Sequence, residues 1–441
     1  MTSEPAAPGG LGGIGGTSDR DRAEPLAAAF TEAYRRPPEG VWHAPGRINV
    51  IGEHTDYNDG LVLPFALDRG VSVAAARRDD GVLEVRSLQA AGIRGEAGNG
   101  GAALAGGPGG SSPQDGTGAS VSVRLDGIGP DAVRGWAERE RWAAYPVGVA
   151  ALLRELGTGG ASLLFDSDLP WGAGLSSSAA LECATALALC DLYGRDDLAS
   201  DRAGLARLAQ RAEHEYVGVP CGLMDQAASL LCTAGHALML DCRTGLSAQV
   251  PLDLPGKGLT LLVVDTRVRH ELAGGDLPGG DYGRRRAECE RAAALLGVPA
   301  LRDVKDLAAA LSRLDDPVLR RRTQHVVTEN HRVEATAGLL RAGAETELGG
   351  MLTASHLSLR DQYEVSWPEA DLAVETALKA GARGGRMVGG GFGGSVIVLA
   401  ASGRAEGVRD AIASAYRARG LPEPGFLEAV PAPGARRLPL R

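Results

Sequence analysis

The segment Pro170-Trp-Gly-Ala-Gly-Leu-Ser-Ser-Ser-Ala-Ala-Leu-Glu182 constrains what this chain can fold into more than any other. It follows a strand-like run, Ala161-Ser-Leu-Leu-Phe165, and opens a stretch in which Leu181, Ala184, Leu187 and Leu192 recur at helical spacing. A strand that passes into a helix through small residues can cradle an anion. Gly172 and Gly174 permit unusual backbone angles and close approach, while the first N–H groups of the helix and its positive end favour phosphate oxygens. Ser176, Ser177 and Ser178 add hydroxyl donors, and one hydroxyl could ligate Mg²⁺ on a bound nucleotide. The same residues also read as a small-residue cap whose serines only close the helix.

Two other nucleotide loops can be tested. The pattern G-x-x-x-x-G-K-[ST] is absent. Gly389-Gly-Gly-Phe-Gly-Gly394 satisfies G-x-G-x-x-G, but a strand-like run, Ser395-Val-Ile-Val-Leu399, follows where a dinucleotide fold needs a helix.

At 441 residues the chain exceeds what one hydrophobic core supports, and two domains are expected. Strand-like runs cluster first (60–66, 71–75, 83–87, 121–125 and 161–165), followed by helical patterns. A second round mixes strands at 259–264 and 395–399 with helical runs near 282–296, 318–341 and 404–419. That order predicts an α+β protein of two domains, 22–230 and 231–441. Residues 1–21 and the stretch 90–120, rich in Gly, Pro, Ala and Ser, bury too little apolar surface to offset chain entropy. They are expected to be a disordered tail and a flexible insertion between neighbouring strands.

Acidic residues outnumber basic ones, 55 to 46, for a formal charge of -9, which argues against nucleic acid as the main partner. The six cysteines form no C-x-x-C pair and read as reduced thiols. The N-terminus lacks a signal-peptide pattern and no apolar run is long enough to span a bilayer, so a soluble, cytoplasmic protein is expected.

The second chemical motif is Gly46-Arg-Ile-Asn-Val-Ile-Gly-Glu-His-Thr-Asp-Tyr-Asn-Asp-Gly60. Arg47, Glu53, His54 and Asp56 lie among turn-forming residues, which places them on a loop. Carboxylate, imidazole and carboxylate together complement sugar hydroxyls, which both donate and accept. Arg47 is a fork of donors for a transferring phosphoryl group or a neighbouring carboxylate. Asn58, Asp59 and Gly60 read as a surface turn, and His43, His236 and His325 as structural histidines.

These segments together resemble the galactokinases of the GHMP kinase superfamily, over about Trp42 to Leu399. GRINVIGEHTDYNDG is similar to the galactokinase signature, PWGAGLSSSAALE to the superfamily's ATP loop, and MVGGGFGGSVIVL, from Met387, to its C-terminal glycine-rich motif. Cys221-Gly-Leu-Met-Asp-Gln226, Ala300-Leu-Arg-Asp-Val304, Thr328-Glu-Asn330 and Arg360-Asp-Gln-Tyr-Glu-Val-Ser366 match in the expected order.

The resemblance implies a ribosomal-S5-like N-terminal domain and a ferredoxin-like C-terminal domain, with Mg-ATP and galactose in the cleft between them. It implies sugar contacts from Glu53, His54, Thr55, Asp56, Gly222 and Tyr282, and catalytic roles for Asp225 as base and Arg47 as transition-state stabiliser. Gly172, Ala173, Gly174, Leu175, Ser176, Ser177 and Ser178 would line the ATP phosphates. Ser178 and Glu213 would ligate Mg²⁺, and Ser87 and Trp142 would lie on the adenine side. The segment 271–282 is longer than the family's usual approach to the tyrosine, and the 90–120 insertion leaves every motif intact.

The activity implied is phosphorylation of the C1 hydroxyl of galactose by ATP, the first committed step of galactose metabolism, by a monomer. An arginine beside Asp225 favours an orienting role for that carboxylate, with late proton transfer. The alternatives are a GHMP kinase for another sugar such as N-acetylgalactosamine, and a non-catalytic galactose sensor. The presence of the serine loop, Asp225 and Arg47 speaks against the sensor.

Overall fold

The computed structural model describes residues 18–89, 120–170, 172–269 and 280–440. Most of the expected tail (1–17), nearly all of the expected insertion (90–119) and the approach to Tyr282 (270–279) lie outside the described residues.

The first half of the chain runs α1 (Asp19–Tyr34), β1 (Gly40–Asn49), β2 (Leu61–Val62), β3 (Pro64–Arg78), β4 (Val82–Ser87) and β5 (Ser120–Arg124). It continues through α2 (Pro130–Arg134), α3 (Ala144–Glu155), β6 (Gly160–Ser167), α4 (Ser177–Leu192), α5 (Asp196–Ser200), α6 (Arg202–Ala212) and α7 (Met224–Leu231). Ser18 caps α1 by accepting from the Asp21 amide, so residues 19–21, expected in the tail, are helical.

The second half begins with β7 (His236–Asp241), β8 (Ser247–Pro251) and β9 (Leu259–Asp265), then α8 (Gly280–Leu296), α9 (Leu307–Arg313), α10 (Pro317–Arg341), α11 (Leu348–Ser358) and α12 (Pro368–Lys379). It closes with β10 (Gly384–Val388), β11 (Ser395–Ala401), α13 (Ala405–Ala418), β12 (Gly425–Ala429) and β13 (Arg436–Leu438).

The expected α+β class is what forms. A six-stranded sheet has the order β13-β1-β3-β6-β4-β5, and a four-stranded antiparallel sheet the order β10-β11-β9-β12. Both β7–β8, which pair with β2, and β13, which pairs with β1, lie beyond residue 230 yet join strands of the first half. A single cut at 230 therefore does not separate the sheets.

The strand β9 shows how the two halves share their packing. Leu261 and Val263 enter the main core, while Leu262 and Val264 enter the second core under α8, α10 and α12. Alternate side chains point to opposite faces, and with both faces covered the strand reads as a continuous apolar run. Helix α4 is buried along almost its whole length, as its Ala/Leu composition requires.

Candidate active site

Arg47 was expected on a loop, and the structure places it within β1 just after an irregularity between Pro45 and Arg47. All ten residues of β1 are buried, so no polar/apolar alternation marked the strand. The register shift sits beside Arg47, where a bulge re-aims a side chain. Its Nε and Nη2 donate to the two oxygens of Asp225, at 2.8 and 2.9 Å, and its Nη1 donates to the Gly174 carbonyl at 2.6 Å. One guanidinium thus joins the first turn of α7 to the loop before α4.

That loop is held from behind. The Arg47 amide donates to Leu175 O, and Ser395 Oγ donates to Ala173 O at 2.8 Å. Gly174 has φ +73°, and a Cβ there would lie 3.3 Å from the Val388 carbonyl, so the two glycine-rich turns meet backbone to backbone. Ser176 takes the left-handed conformation at φ 61° and its hydroxyl donates to Asp225. Gly172 is exposed and Ser176, Ser177 and Ser178 are half-buried at the N-terminus of α4, where backbone N–H groups lack intrahelical partners.

On the other side of Asp225 lie the residues of the Gly46–Gly60 segment. Asp56 packs against Gly222 so closely that a Cβ at 222 would sit 1.8 Å from its Oδ2. Burial, reinforced by the nearby Asp225 charge, raises the Asp56 carboxyl to about 7. Burial drives His54 well below the ordinary histidine range, so its ring is neutral. His54 Nδ1 lies 2.8 Å from the Tyr57 hydroxyl, which in turn meets the Tyr363 hydroxyl at 2.8 Å. The half-buried Tyr282 ring stands 5.5 Å from His54 and 5.1 Å from Tyr57.

Glu53 is buried and braced: Oε1 accepts from the Gly389 amide at 2.8 Å and pairs with Arg386 at 3.0 Å, and Oε2 accepts from Asn49. Thr55, expected among the sugar contacts, directs its fully buried hydroxyl to the carbonyls of Gly52 and Leu61, so it braces the loop instead. The one hydroxyl proton is engaged locally.

Ser178 and Glu213, the two expected metal ligands, lie close enough for the Ser178 hydroxyl to influence the Glu213 carboxyl. Glu213 lies on a five-residue π-helical turn after α6, and burial raises its carboxyl to about 7. Ser87, at the end of β4, pairs in register with Phe165, and the Trp142 ring packs edge-on against Phe165 at 6.3 Å. Ser87 and Trp142 therefore border the same residue, Phe165. His43 and His325 are buried and hydrogen-bonded to Ser72 and Ser358, as structural histidines should be.

Tyr57, Tyr363, Arg386, Glu182 and Gln226 were not singled out as site residues. Tyr57 follows Asp56 within the motif and Gln226 follows Asp225, but nothing in their spacing shows what they touch.

Three family descriptions match the chain: the galactokinase galactose-binding signature over residues 28–77, the GHMP kinases N terminal domain over 144–233, and the GHMP kinases C terminal region over 336–418. A galactokinase of Streptomyces coelicolor is 49% identical over 414 residues, covering 93% of this chain and 97% of that protein. The chain belongs to the galactokinase family. Within that family, a galactokinase of Chloroflexus aurantiacus is 41% identical over 89% of this chain and 92% of its own length. The crystal structure of Lactococcus lactis galactokinase complexed with galactose superposes with a TM-score of 0.79 at 30% identity, covering 93% of this chain and 98% of that one. Methanococcus jannaschii mevalonate kinase, 14% identical with a TM-score of 0.57, shares the GHMP kinase fold.

Proposed function

We propose that the chain transfers the γ-phosphoryl group of ATP to the C1 hydroxyl of galactose, giving galactose 1-phosphate and ADP. The observation that carries this reading is the position of Asp225. It accepts from Arg47 and Ser176, with the anion-cradling loop on one side and Asp56 with Gly222 on the other.

In this reading Glu53, neutral His54, Asp56, the Gly222 backbone and Tyr282 hold the sugar. Asp225 accepts a hydrogen bond from the C1 hydroxyl and orients it toward the phosphorus, its proton leaving late. Arg47 is already fixed by three hydrogen bonds, so it stabilises developing phosphoryl charge without reorganising. The N–H groups of 172–178 receive the phosphates, and Ser87 and Trp142 border the adenine.

The residues present fit a divalent cation. Glu213 is a buried carboxylate beside the Ser178 hydroxyl, and Glu182 Oε1, also buried, has no hydrogen-bond partner. Among the described residues no group of three or more His, Cys, Asp or Glu side chains forms a full cage. That suits Mg²⁺, which binds through one or two protein oxygens plus phosphates and water. Held by Ser178 and Glu213, Mg²⁺ would supply positive charge that offsets the charge of the transferring phosphates.

Purified protein incubated with Mg-ATP and galactose, N-acetylgalactosamine, glucose, mevalonate or homoserine should release ADP with galactose, and Asp225→Asn should abolish that release. Turnover of another acceptor instead of galactose would overturn the substrate. Absence of any turnover, while galactose still raises the melting temperature, would make the chain a binding protein.

A further inference from the structure

Gln226 follows Asp225 on the first turn of α7 and is fully buried. Its Nε2 donates to two carboxylates at once, Glu213 Oε2 at 2.7 Å and Glu182 Oε2 at 3.0 Å. The Cys221 thiol donates to the same Glu213 oxygen at 3.2 Å. The three side chains come from three elements: Glu182 from α4, which also carries Ser178, Glu213 from the π-helical turn after α6, and Gln226 from α7.

Packing alone does not call for an amide here, since an apolar side chain of similar volume would fill the same space. Two carboxyl groups converge on one point in a dry interior, and an amide offers hydrogen-bond donors to both without adding a charge. Glu182 does not reach the nucleotide loop through any hydrogen bond found among the described residues; the protein contact of its carboxylate is Gln226. Its geometric effect is to pin the amide from the far side, so that the amide in turn pins Glu213.

We infer that Gln226, braced by Glu182, is a positioning residue for the divalent-cation site: it holds Glu213 Oε2 so that the remaining lone pairs of that carboxylate face the space beside Ser178. This rests on the reading of Glu213 as a cation ligand. Because Gln226 and Asp225 are consecutive, the same helical turn registers the cation ligand against the group that orients the C1 hydroxyl. A slip of α7 would displace both together.

The test measures Mn²⁺ binding to the full chain in the presence of ADP, by the free-ion electron paramagnetic resonance signal, alongside galactose binding by calorimetry. Gln226→Met, which keeps volume and loses the donors, should weaken Mn²⁺ binding about 10–100-fold, the range for partners that orient metal ligands. Galactose affinity should be unchanged. If Gln226→Met does not fold, Gln226→Asn, which keeps an amide but draws it back by one methylene, serves the same purpose, since it withdraws the Nε2 donor from Glu213. Wild-type Mn²⁺ affinity in a folded Gln226 variant overturns the inference, as does an equal loss of galactose and Mn²⁺ binding, which would mark general structural damage. Glu213→Gln separates the two readings. If that variant binds Mn²⁺ normally, Glu213 is not the ligand. If it loses binding while Gln226→Met does not, only the positioning role fails.

Discussion

Arg47 grips Asp225 through both carboxylate oxygens, with Nε at 2.8 Å from Oδ1 and Nη2 at 2.9 Å from Oδ2. This fork-to-fork pair fixes the plane of the carboxylate as well as its position. A lone ammonium could neutralise Asp225 but not orient it.

Asp225→Asn should therefore lower the chemical step at least about a hundredfold, the low end of proton-transfer contributions, in single-turnover experiments. Arg47→Lys should also slow that step, despite keeping the charge, because it loses the second hydrogen bond. Near wild-type single-turnover rates in Asp225→Asn would remove Asp225 from the mechanism.

Gly222→Ala places a methyl group 1.8 Å from Asp56 Oδ2 and must displace that carboxylate. Misplacement of about 1 Å costs on the order of a hundredfold, and the loss should appear in kcat/KM for galactose. The KM for ATP should hold, since the atoms nearest a Cβ at 222 belong to Asp56 and not to the phosphate loop. A matching rise in both would show that α7 had shifted as a unit.

Arg386 is fully buried, donates to the carbonyls of Asn49 and Val50 at 2.9 Å and pairs with Glu53. Arg386→Met leaves Glu53 as an uncompensated buried charge, a change that costs about 3–5 kcal/mol. Denaturant unfolding should show that loss, and adding Glu53→Gln should recover part of it. A double variant as unstable as the single one would mean that the lost carbonyl contacts dominate.

Burial raises both Asp56 and Glu213 to about 7, while unfolded carboxyls titrate near about 4. Between those values the folded protein binds more protons than the unfolded chain, so stability falls as pH rises. The contribution is fully present below about pH 4 and is lost as the pH passes through about 7. The melting temperature of the unliganded protein should decline across that range, and Asp56→Asn should flatten the decline. An unchanged slope would assign the effect to other groups.

The glycine-serine loop was legible because its information is local. Gly172, Gly174 and Ser176–Ser178 lie within seven residues, and a strand, small residues and a helix N-terminus suffice to make a cradle. The Glu53–Asp56 cluster was legible for the same reason, although its members divide once folded. Asp56 and His54 border the site, whereas Thr55 turns its hydroxyl into the loop. That division depends on where the carbonyls of Gly52 and Leu61 fall, which no spacing encodes. The strand carrying Arg47 escaped notice because both of its faces are buried and Pro45 and Gly46 imitate a turn.

Sequence alone thus determined the α+β class, the two local motifs and the family, since each is written in short stretches whose chemistry does not depend on distant neighbours. The tertiary structure decided which groups meet: Arg47 with Asp225 across 178 positions, Glu53 with Arg386, Gln226 between Glu182 and Glu213, and β13 returning to β1. These pairings follow from how the sheets and helices cover one another. Burial makes a charged or polar side chain costly unless its partner arrives from elsewhere in the chain, and only the packed fold supplies that partner.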